Sequence, residues 1–444
     1  MQEAWLPRRV EVAPSRLDGG VEAPPSKSYT HRALFAGLLA AGRSVVENPL
    51  WSSDTQATLA AVKRLGASVE EDGALELASP GAEALEWTPC IDAAESGTTM
   101  RLATGVAALL DKPVLVYGRG RLHRRPVRPL LEALAGLGVE YMVSDGCCPP
   151  HTVKGPARSG STRVDARESS QYLSALLILG AGLPQGLEVA VEGLESRPYV
   201  DITARVLEAF GARVERSGYS WFRVEGPLRP SRYRVPGDWS SAAPLLAAGA
   251  LAGRAVVRGV DPGDPQPDRA VLDVLREMGA RVRVSGQSVA AEATSGGLQG
   301  FSVCIRDSPD LAPTLAALAA AACGRSRICC VERLRLKESD RVEAVMDLLH
   351  RSRVDARLLE AAGEGLCIEV VGRCGRLPGG VAYSSHGDHR IAMAAALLGL
   401  VSEKPVVVEP ADVVAKSYPG FWEALRALGA EIRGGRRQYS PVEV

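Results

Sequence analysis

The chain has 444 residues, of which 46% are hydrophobic and 23% charged, enough apolar sequence for the cores of two or three domains. Its 52 basic and 52 acidic residues balance to a net charge of zero, so no global field favours nucleic acid or an anionic membrane. The first residues lack the apolar region of a signal peptide, and no apolar run reaches the roughly 20 residues that span a bilayer. We therefore expect a cytoplasmic protein in which any anion site is local.

Cysteine and histidine spacing indicates no metal site. The nine cysteines include the adjacent pairs Cys147-Cys148 and Cys329-Cys330 but no C-x-x-C motif, and the six histidines form no metal-binding pattern. We expect free thiols in a reducing compartment. The chain also lacks a Walker phosphate loop and a complete dinucleotide fingerprint.

An amphipathic helix that ends in Gly and runs into a strand recurs along the chain. The glycines are Gly66, Gly138, Gly211, Gly279 and Gly429. They lie about 70 residues apart, except that the last interval is about twice as long, and Gly at this position suits a left-handed C-cap. A sixth copy is expected at 348–359, where Ser352-Arg353 stands in place of the Gly.

A second pattern, a polar start followed by a helix of small apolar residues, occurs six times. In chain order the copies are SKSYTHRALFAGLLAAG, ESGTTMRLATGVAALL, SSQYLSALLILGAGL, DWSSAAPLLAAGALAG, SPDLAPTLAALAAAACG and GDHRIAMAAALLGL. Each copy has a Ser, Thr or Asp that can cap the helix, and helices apolar on every side are usually buried.

Strand-like runs such as KPVLVYG and KPVVVEP separate these helices. The sequence therefore predicts an α/β protein of six repeats, grouped as two lobes of three around a cleft. If equivalent helices share an orientation within a lobe, their N-termini converge, and helix N-termini bind phosphates and carboxylates.

Basic residues gather at several of these helix starts. Lys27 and Arg32 begin the first helix, and Lys337 and Arg341 lie four residues apart in the charged segment RLRLKESDRVEAV. A solvated helix start with i,i+4 ion pairs explains that segment equally well. However, the chain has only seven lysines among its 52 basic residues, so a retained Lys suggests a need for a compact ammonium group.

Taken together, the motifs resemble the 5-enolpyruvylshikimate-3-phosphate synthase family over essentially the whole chain. They are PPSKSYTHR, ESGTTMR, RRPVRPL, SSQYLSALL, SRPYVDITARVLEAFG, GDWSSAAPLLAAGAL, PDLAPTLAALA, LRLKESDR, GDHRIAMA and KSYPGFWEAL. The resemblance implies a two-lobed inside-out α/β barrel of six βαβαββ repeats, three per lobe. One lobe would comprise residues 1–24 and 236–444, and the other residues 25–235.

The resemblance also implies a reaction. Enzymes of this family transfer the enolpyruvyl group of phosphoenolpyruvate to the 5-hydroxyl of shikimate 3-phosphate through a tetrahedral ketal phosphate, which then eliminates phosphate. Asp310 matches the base near the hydroxyl, Glu338 the acid/base at the methylene carbon, and Lys27 a catalytic residue that meets both substrates. No metal or other cofactor is implied, closure of the lobes would expel water, and we expect a monomer.

Motif matching assigns the binding residues. Those that resemble shikimate 3-phosphate contacts are Lys27, Ser28, Arg32, Ser169, Ser170, Ser196, Tyr199, Asp310 and Lys337. Those that resemble phosphoenolpyruvate contacts are Lys27, Gly97, Arg125, Gln171, Arg341, His389, Arg390 and Lys416. The chain departs from the family pattern at Glu95 and Arg333, where many or some members have Asn.

Two alternatives remain open. A sister enolpyruvyl transferase that acts on UDP-N-acetylglucosamine shares the fold, but usually carries a reactive Cys in a mobile loop, and LLDKPVLVYGRGRLH has none. A catalytically inactive binding protein on the same scaffold would be expected to lose Asp310, Glu338 or Lys27, and all three are present.

Overall fold

The computed structural model describes residues 6–144 and 146–434, which form two compact units. The middle unit comprises Pro24–Asp238 and Gly263–Pro267, and the terminal unit comprises the described parts of Met1–Ala23, Trp239–Pro262 and Asp268–Val444. These limits differ by up to three residues from the boundaries expected at 24/25 and 235/236. No sequence signal indicated that Gly263–Pro267 groups with the middle unit.

Twelve α-helices lie in the described residues, six in each unit. Those of the middle unit are α1 (Lys27–Leu39), α2 (Ser53–Arg64), α3 (Gly97–Ala107), α4 (Arg128–Ala135), α5 (Gln171–Ala181) and α6 (Pro198–Ala209). Those of the terminal unit are α7 (Trp239–Ala252), α8 (Val271–Glu277), α9 (Ala312–Ala321), α10 (Arg341–Arg351), α11 (His389–Leu400) and α12 (Phe421–Ala427). Within the described ranges, no helix is both long and apolar enough to cross a membrane.

The same residues contain 26 β-strands. In chain order these are β1 (Val10–Val12), β2 (Leu17–Glu22), β3 (Gly42–Glu47), β4 (Ser68–Asp72), β5 (Ala74–Ser79), β6 (Cys90–Asp92), β7 (Val114–Tyr117), β8 (Glu140–Val143), β9 (His151–Lys154), β10 (Gly160–Ala166), β11 (Leu187–Leu194), β12 (Arg213–Ser217), β13 (Trp221–Glu225), β14 (Arg232–Arg234), β15 (Gly253–Arg258), β16 (Arg281–Ser285), β17 (Ser288–Glu292), β18 (Ser302–Cys304), β19 (Cys323–Cys329), β20 (Asp355–Ala361), β21 (Gly365–Arg373), β22 (Leu377–Gly379), β23 (Ala382–Ser384), β24 (Ser402–Lys404), β25 (Val406–Glu409) and β26 (Ile432–Gly434).

Six four-stranded sheets share one pairing pattern, in which the first two strands are parallel and the remaining pairs are antiparallel. In the middle unit they are β14-β3-β5-β4, β6-β7-β9-β8 and β10-β11-β13-β12. In the terminal unit they are β2-β15-β17-β16, β18-β19-β21-β20 and β23-β25-β1-β26. The six α/β repeats expected from the sequence are therefore confirmed, three in each unit.

The small-residue helices form the core of each unit. These are α1, α3 and α5 in the middle unit and α7, α9 and α11 in the terminal unit. Every residue of α11 is buried, as expected of a helix that is apolar on all sides. Small residues also allow close helix packing: a Cβ on Gly105 of α3 would lie 2.8 Å from the Ala175 carbonyl oxygen of α5.

The helix-ending glycines adopt the left-handed conformation that the repeat requires. Their φ angles lie between 86° and 106°. In the copy that lacks glycine, Arg353 takes the same position after α10 with a φ of 56°. The sixth helix thus ends in the same backbone conformation although its residue differs. Arg353 is strained there, because the left-handed region favours glycine.

The prediction of free thiols is wrong for eight of the nine cysteines. Disulfides join Cys147 to Cys148, Cys304 to Cys330, Cys323 to Cys374, and Cys329 to Cys367. Cys90 is free. Three of the four bonds connect strands or strand ends of the sheet β18-β19-β21-β20, where Cys329 and Cys367 face each other in register. Spacing along the chain could not reveal these pairs, because it does not show which strands become neighbours.

Candidate active site

In the middle unit, the start of α1 holds Lys27 in a salt bridge. Lys27 Nζ donates to Asp54 Oδ2, in the first turn of α2, at 2.9 Å, and 17% of the lysine side chain is exposed. Ser26 precedes the helix but makes no capping bond; its Oγ donates instead to Gln266 Oε1 at 3.2 Å. The ammonium group of Lys27 is therefore fixed at the partly open mouth of a buried helix.

Arg32 lies one turn deeper and is almost fully buried. Its Nε donates to Thr203 Oγ1 at 2.7 Å, and its Nη atoms donate to the Ser28 carbonyl at 2.9 Å and the Tyr199 carbonyl at 3.1 Å. A fourth bond reaches Ser174 Oγ at 3.3 Å. Burial lowers the pKa of Arg32 to about 10, so it stays charged at neutral pH. One of its five N–H donors is left for a ligand.

His31, to which the sequence assigns no role, links three helices. Its Nδ1 lies 2.6 Å from Thr58 Oγ1 of α2, which lies 2.7 Å from Thr99 Oγ1 of α3. Thr99 in turn donates to Ser96 Oγ, the cap of α3, at 2.8 Å. Burial lowers the pKa of His31 to about 3, so the ring is neutral. His31 therefore packs and positions the neighbouring helix starts.

The starts of α3 and α5 bring the next predicted residues together. Gln171 Oε1 accepts from Arg101 Nη1 at 2.8 Å, and its Nε2 donates to Thr98 Oγ1 at 3.0 Å. A Cβ on Gly97 would lie 2.5 Å from the guanidinium carbon of Arg125, so a larger residue there would displace that guanidinium. Burial lowers the pKa of Arg101 to about 10, which still leaves it charged.

The predicted hydroxyl donors lie at the starts of α5 and α6. Ser169 Oγ accepts from the Gln171 backbone N–H at 3.3 Å, and Ser170 is buried immediately before α5. Ser196 is buried in a left-handed conformation with a φ of 54°, two residues before α6 begins. Tyr199 lies in the first turn of α6. These side chains flank the starts of helices, as their motifs predict.

Hydrogen bonds therefore tie the N-terminal ends of the three core helices of the middle unit together. Arg32 joins α1 to α5, and Arg101 joins α3 to α5. The convergence expected from the repeat is confirmed for this unit. We call Lys27, Arg32, Arg101 and Arg125 the cationic cluster; with the helix N-termini they suit anionic ligands.

In the terminal unit, Arg341 joins three carboxylates. Its Nε donates to Asp388 Oδ2 at 2.7 Å, its Nη1 to Asp310 Oδ1 at 2.6 Å, and its Nη2 to Glu338 Oε2 at 2.8 Å. Only 1% of the Arg341 side chain is exposed. Burial lowers the pKa of Arg341, but the three carboxylates outweigh it and raise that pKa well above its usual value. We call Asp310, Glu338, Arg341 and Asp388 the carboxylate cluster.

Asp388 anchors this cluster. It is fully buried, caps α11 by accepting from the Arg390 backbone N–H at 2.9 Å, and accepts from Ser339 Oγ at 3.1 Å. Because Asp388 also binds Arg341, it positions the guanidinium group that contacts Asp310 and Glu338. Motif matching did not single out this residue, although it lies within GDHRIAMA.

Asp310 also contacts two further cations. Lys337 Nζ donates to Asp310 Oδ1 at 3.3 Å, and Arg390 Nη2 lies 4.0 Å from Asp310 Oδ2. Burial raises the pKa of Asp310, but Lys337, Arg341 and Arg390 together hold it well below its usual value. Burial lowers the pKa of Lys337 and outweighs the opposing effect of Asp310. Asp310 is thus ionised, beside an ammonium group that releases its proton more easily than usual.

The remaining predicted residues of the terminal unit are His389, Arg390 and Lys416. His389 begins α11 and is buried, with Nδ1 3.8 Å from Asp388 Oδ1. Arg390 Nη1 donates to the Ser240 carbonyl in α7 at 2.6 Å. Lys416 ends a short helical turn and is 8% exposed. Arg390 therefore links the starts of α7 and α11 to Asp310, just before α9, so the helix starts of this unit converge too.

Residues missed by motif matching are the partners of predicted ones: Asp54, Arg101 and Asp388. The sequence feature that could have indicated them is a charged residue near the start of an otherwise apolar helix. Of the two departures from the family pattern, Glu95 is exposed. Arg333 is half-buried, donates to the Arg306 carbonyl at 2.7 Å and contributes to the lowered pKa of Lys337.

Within the described residues, one group of side chains has metal-binding atoms close together. The donor atoms of Cys329, Glu364 and Cys367 lie within 4.8 Å of one another, but the two cysteines are bonded to each other. None of the predicted site residues belongs to this group.

Comparison with known proteins gives consistent results. A family model described as EPSP synthase (3-phosphoshikimate 1-carboxyvinyltransferase) matches residues 12–425. A 3-phosphoshikimate 1-carboxyvinyltransferase of Aeropyrum pernix is 51% identical over 96% of this chain and 98% of its own length. The solved EPSP synthase of Acinetobacter baumannii superposes with a TM-score of 0.78 at 27% identity, covering 96% of this chain and 99% of that one. An enolpyruvyl transferase of Streptomyces tendae shares the fold, with a TM-score of 0.75 at 19% identity, over 97% of this chain and 99% of that one.

Proposed function

Because the chain belongs to the EPSP synthase family, we propose that its cationic cluster binds the substrate anions while its carboxylate cluster moves the protons of the reaction. The chain is an enzyme of the shikimate pathway of aromatic amino acid biosynthesis. It transfers the enolpyruvyl group of phosphoenolpyruvate to the 5-hydroxyl of shikimate 3-phosphate and releases phosphate. The observation that supports proton transfer by the carboxylate cluster is that one guanidinium group, that of Arg341, binds both Asp310 and Glu338.

The reaction needs two proton transfers. As the 5-hydroxyl oxygen bonds to C2 of phosphoenolpyruvate, the hydroxyl loses its proton and the methylene carbon gains one, giving a tetrahedral ketal phosphate. The bond to phosphate then breaks as the new methyl group returns a proton and the double bond re-forms. We assign the hydroxyl proton to Asp310 and the methyl proton to Glu338, because carboxylates held by shared cations suit both tasks.

The low pKa of Asp310 makes it a weak base before substrates bind. Phosphate and carboxylate groups of the substrates compete for Lys337 and Arg390, the cations that depress this pKa. Binding therefore raises the basicity of Asp310 when the hydroxyl proton must leave. Lys337 donates to Asp310 across a 3.3 Å contact and, as an ammonium group, has no acceptor, so the hydroxyl proton goes to the carboxylate.

Substrate recognition is assigned as the motifs predict. Shikimate 3-phosphate contacts are assigned to Lys27, Ser28, Arg32, Ser169, Ser170, Ser196, Tyr199, Asp310 and Lys337. Phosphoenolpyruvate contacts are assigned to Lys27, Gly97, Arg125, Gln171, Arg341, His389, Arg390 and Lys416. Fixed cations and helix N-termini stabilise the leaving phosphate without the reorganisation that water would need. Arg32 has one N–H donor left for substrate, so its contact with shikimate 3-phosphate would be a single hydrogen bond.

We further propose that the chain acts as a monomer in the cytoplasm, without nucleic acid or a membrane. Its zero net charge supports this, since no long-range field favours either surface. Light scattering of the purified chain, with and without duplex DNA and anionic vesicles, tests it.

A phosphate-release assay tests the reaction. Wild-type chain mixed with shikimate 3-phosphate and phosphoenolpyruvate should release one phosphate per enolpyruvyl transferred, and omission of either substrate should abolish release. Release that requires UDP-N-acetylglucosamine in place of shikimate 3-phosphate would establish the sister reaction instead. A Glu338→Gln preparation, purified identically, controls for contaminating phosphatase.

A further inference from the structure

The terminal unit contains a cavity of about 870 Å³ at the carboxyl ends of its core helices. Its wall includes Ala252, Ala321 and Leu400, the last residues of α7, α9 and α11. The predicted site residues lie at the opposite ends of these helices, and α9 alone is about 15 Å long at 1.5 Å per residue. The cavity is therefore separate from the carboxylate cluster.

The fold does not require this space. At the corresponding place of the middle unit, Gly182 follows α5, and a Cβ there would lie 3.1 Å from Leu109 and 3.2 Å from Ala82. These residues follow α3 and β5, so the helix ends of the middle unit fill their own gap. The terminal unit keeps a volume within the range of small-molecule sites, about 300–1,000 Å³.

The charges on the cavity wall leave two arginines without partners. Asp18 binds Arg254 at 3.1 Å, and Glu292 is held by Arg281 at 3.5 Å, so both acids are paired. The two remaining arginines, Arg16 and Arg376, are exposed and make no hydrogen bond or ion pair within the part of the chain that the structure describes.

Helix capping does not explain these arginines. A basic side chain that serves a helix C-terminus donates to its last carbonyls, and neither Arg16 nor Arg376 does so. Their backbones are nevertheless fixed on both sides of the end of α11. The Ser15 N–H donates to the Leu400 carbonyl at 3.1 Å, and the Leu377 N–H donates to the Val401 carbonyl at 3.0 Å.

The rest of the wall is of mixed polarity, with Ser15, Thr294 and Ser295 beside apolar residues, and part of it is constrained. Leu251, Leu298 and Leu400 contribute hydrocarbon surface. The disulfide between Cys323 and Cys374 ties the segment that carries Arg376 to the end of α9. A constrained wall loses little freedom on binding, which favours affinity.

We propose that this cavity binds a small organic acid. The apolar body of the ligand lies against the leucines, and its carboxylate is bound by Arg16 and Arg376, whose forked guanidinium groups match carboxylate geometry. The proposal does not depend on the transferase reaction, since none of these residues is assigned to it.

Isothermal titration calorimetry of the full chain with phenylacetate tests the proposal, with inorganic phosphate as the probe for a bare anion. We expect one saturable phenylacetate site per chain and weaker or no binding of phosphate at the same site. Arg16→Gln/Arg376→Gln should weaken phenylacetate binding by at least about tenfold, or about 1.4 kcal/mol, because it removes both charges that bind the carboxylate. Arg163→Gln/Arg213→Gln, two exposed arginines of the middle unit, should leave it unchanged.

A second variant tests the role of the cavity volume independently of the two arginines. Ser295→Trp keeps both arginines but places a large side chain in the cavity wall, and it should abolish binding. Phosphate release by each variant confirms that it is folded. Unchanged phenylacetate affinity in Arg16→Gln/Arg376→Gln or in Ser295→Trp, the absence of saturable heat, or phosphate binding as tight as phenylacetate would each overturn the proposal.

Discussion

The middle and terminal units both place charged residues near helix starts but pair them differently. In the middle unit, Arg32 and Arg101 donate mainly to hydroxyl, carbonyl and amide oxygens, so their charges are not neutralised. In the terminal unit, Arg341 is surrounded by three carboxylates. The repeat therefore supplies the helix N-termini, while the charged residues near each helix start and their partners decide whether a unit attracts anions or holds proton carriers.

The largest expected effect is in the carboxylate cluster. Glu338→Gln keeps the size of the side chain but removes the proton carrier, so turnover should fall by about 10²–10⁴-fold, the usual contribution of general acid–base catalysis. Calorimetry should show shikimate 3-phosphate binding close to wild type. Glu343→Gln, which changes an exposed glutamate in the first turn of α10 just after Glu338, is the matched control. Turnover close to wild type in Glu338→Gln would remove this residue from the proton role.

The units also differ in their covalent links, because three disulfides cross-link one sheet of the terminal unit. Cys323→Ser/Cys374→Ser opens a loop with a sequence separation of 51 residues. On the chain-entropy model its loss destabilises the protein by up to about 4 kcal/mol, less where other disulfides already restrain the same loop. Urea unfolding of the oxidised protein measures the difference.

Cys147→Ser/Cys148→Ser is the control in the middle unit. This disulfide joins adjacent residues and closes no loop, so its removal should change the free energy of unfolding little. Equal losses in both double variants would show that the cross-linked sheet is not the source of the stability.

In the terminal unit, a substitution at Asp388 can test the effect of its charge apart from its role as a helix cap. Asp388→Asn retains a good capping side chain but leaves the buried Arg341 with one carboxylate fewer, which should lower the free energy of unfolding by about 3 kcal/mol. Asp347→Asn, which loosens an exposed i,i+4 pair with Arg351, should cost less than about 1 kcal/mol. Equal costs for the two variants would contradict the anchoring role of Asp388.

For the cationic cluster, Lys27→Arg tests whether charge alone is enough. The guanidinium is larger and planar, and Lys27 Nζ lies only 2.9 Å from Asp54, so we expect at least about a tenfold loss of turnover, or about 1.4 kcal/mol. Lys154→Arg, whose exposed side chain pairs with Glu140, should have no effect. Wild-type turnover in Lys27→Arg would undo the inference from the scarcity of lysine.

Periodic features of the fold were predictable from the sequence, and pairings between distant residues were not. Helix starts, buried helices and the six repeats follow from local composition, so Lys27, Gln171 and Asp310 could be placed at helix starts. The pairing of Lys27 with Asp54 and of Arg341 with Asp388 could not be predicted, since each acid comes from a different helix than the cation it binds. The disulfides were missed for the same reason: Cys329 and Cys367 meet only through the register of two strands.

The smallest effect concerns the one helix end where the repeat lacks its glycine. Arg353 holds a φ of 56°, its side chain is exposed, and it makes no side-chain hydrogen bond within the described ranges. Relief of left-handed strain is worth about 1–2 kcal/mol, and the greater freedom of glycine in the unfolded chain offsets up to about 1 kcal/mol. Arg353→Gly should therefore raise the free energy of unfolding by about 0.5–1 kcal/mol, measured by urea denaturation.

Gly211→Ala makes the opposite change at the matching end of α6, where φ is 91°. The nearest atom would lie 3.6 Å from the new Cβ, so there is room for the methyl group. The variant should therefore destabilise the protein by about 1 kcal/mol through backbone strain alone. If both variants shift stability in the same direction, the two helix ends are not equivalent positions of one repeat.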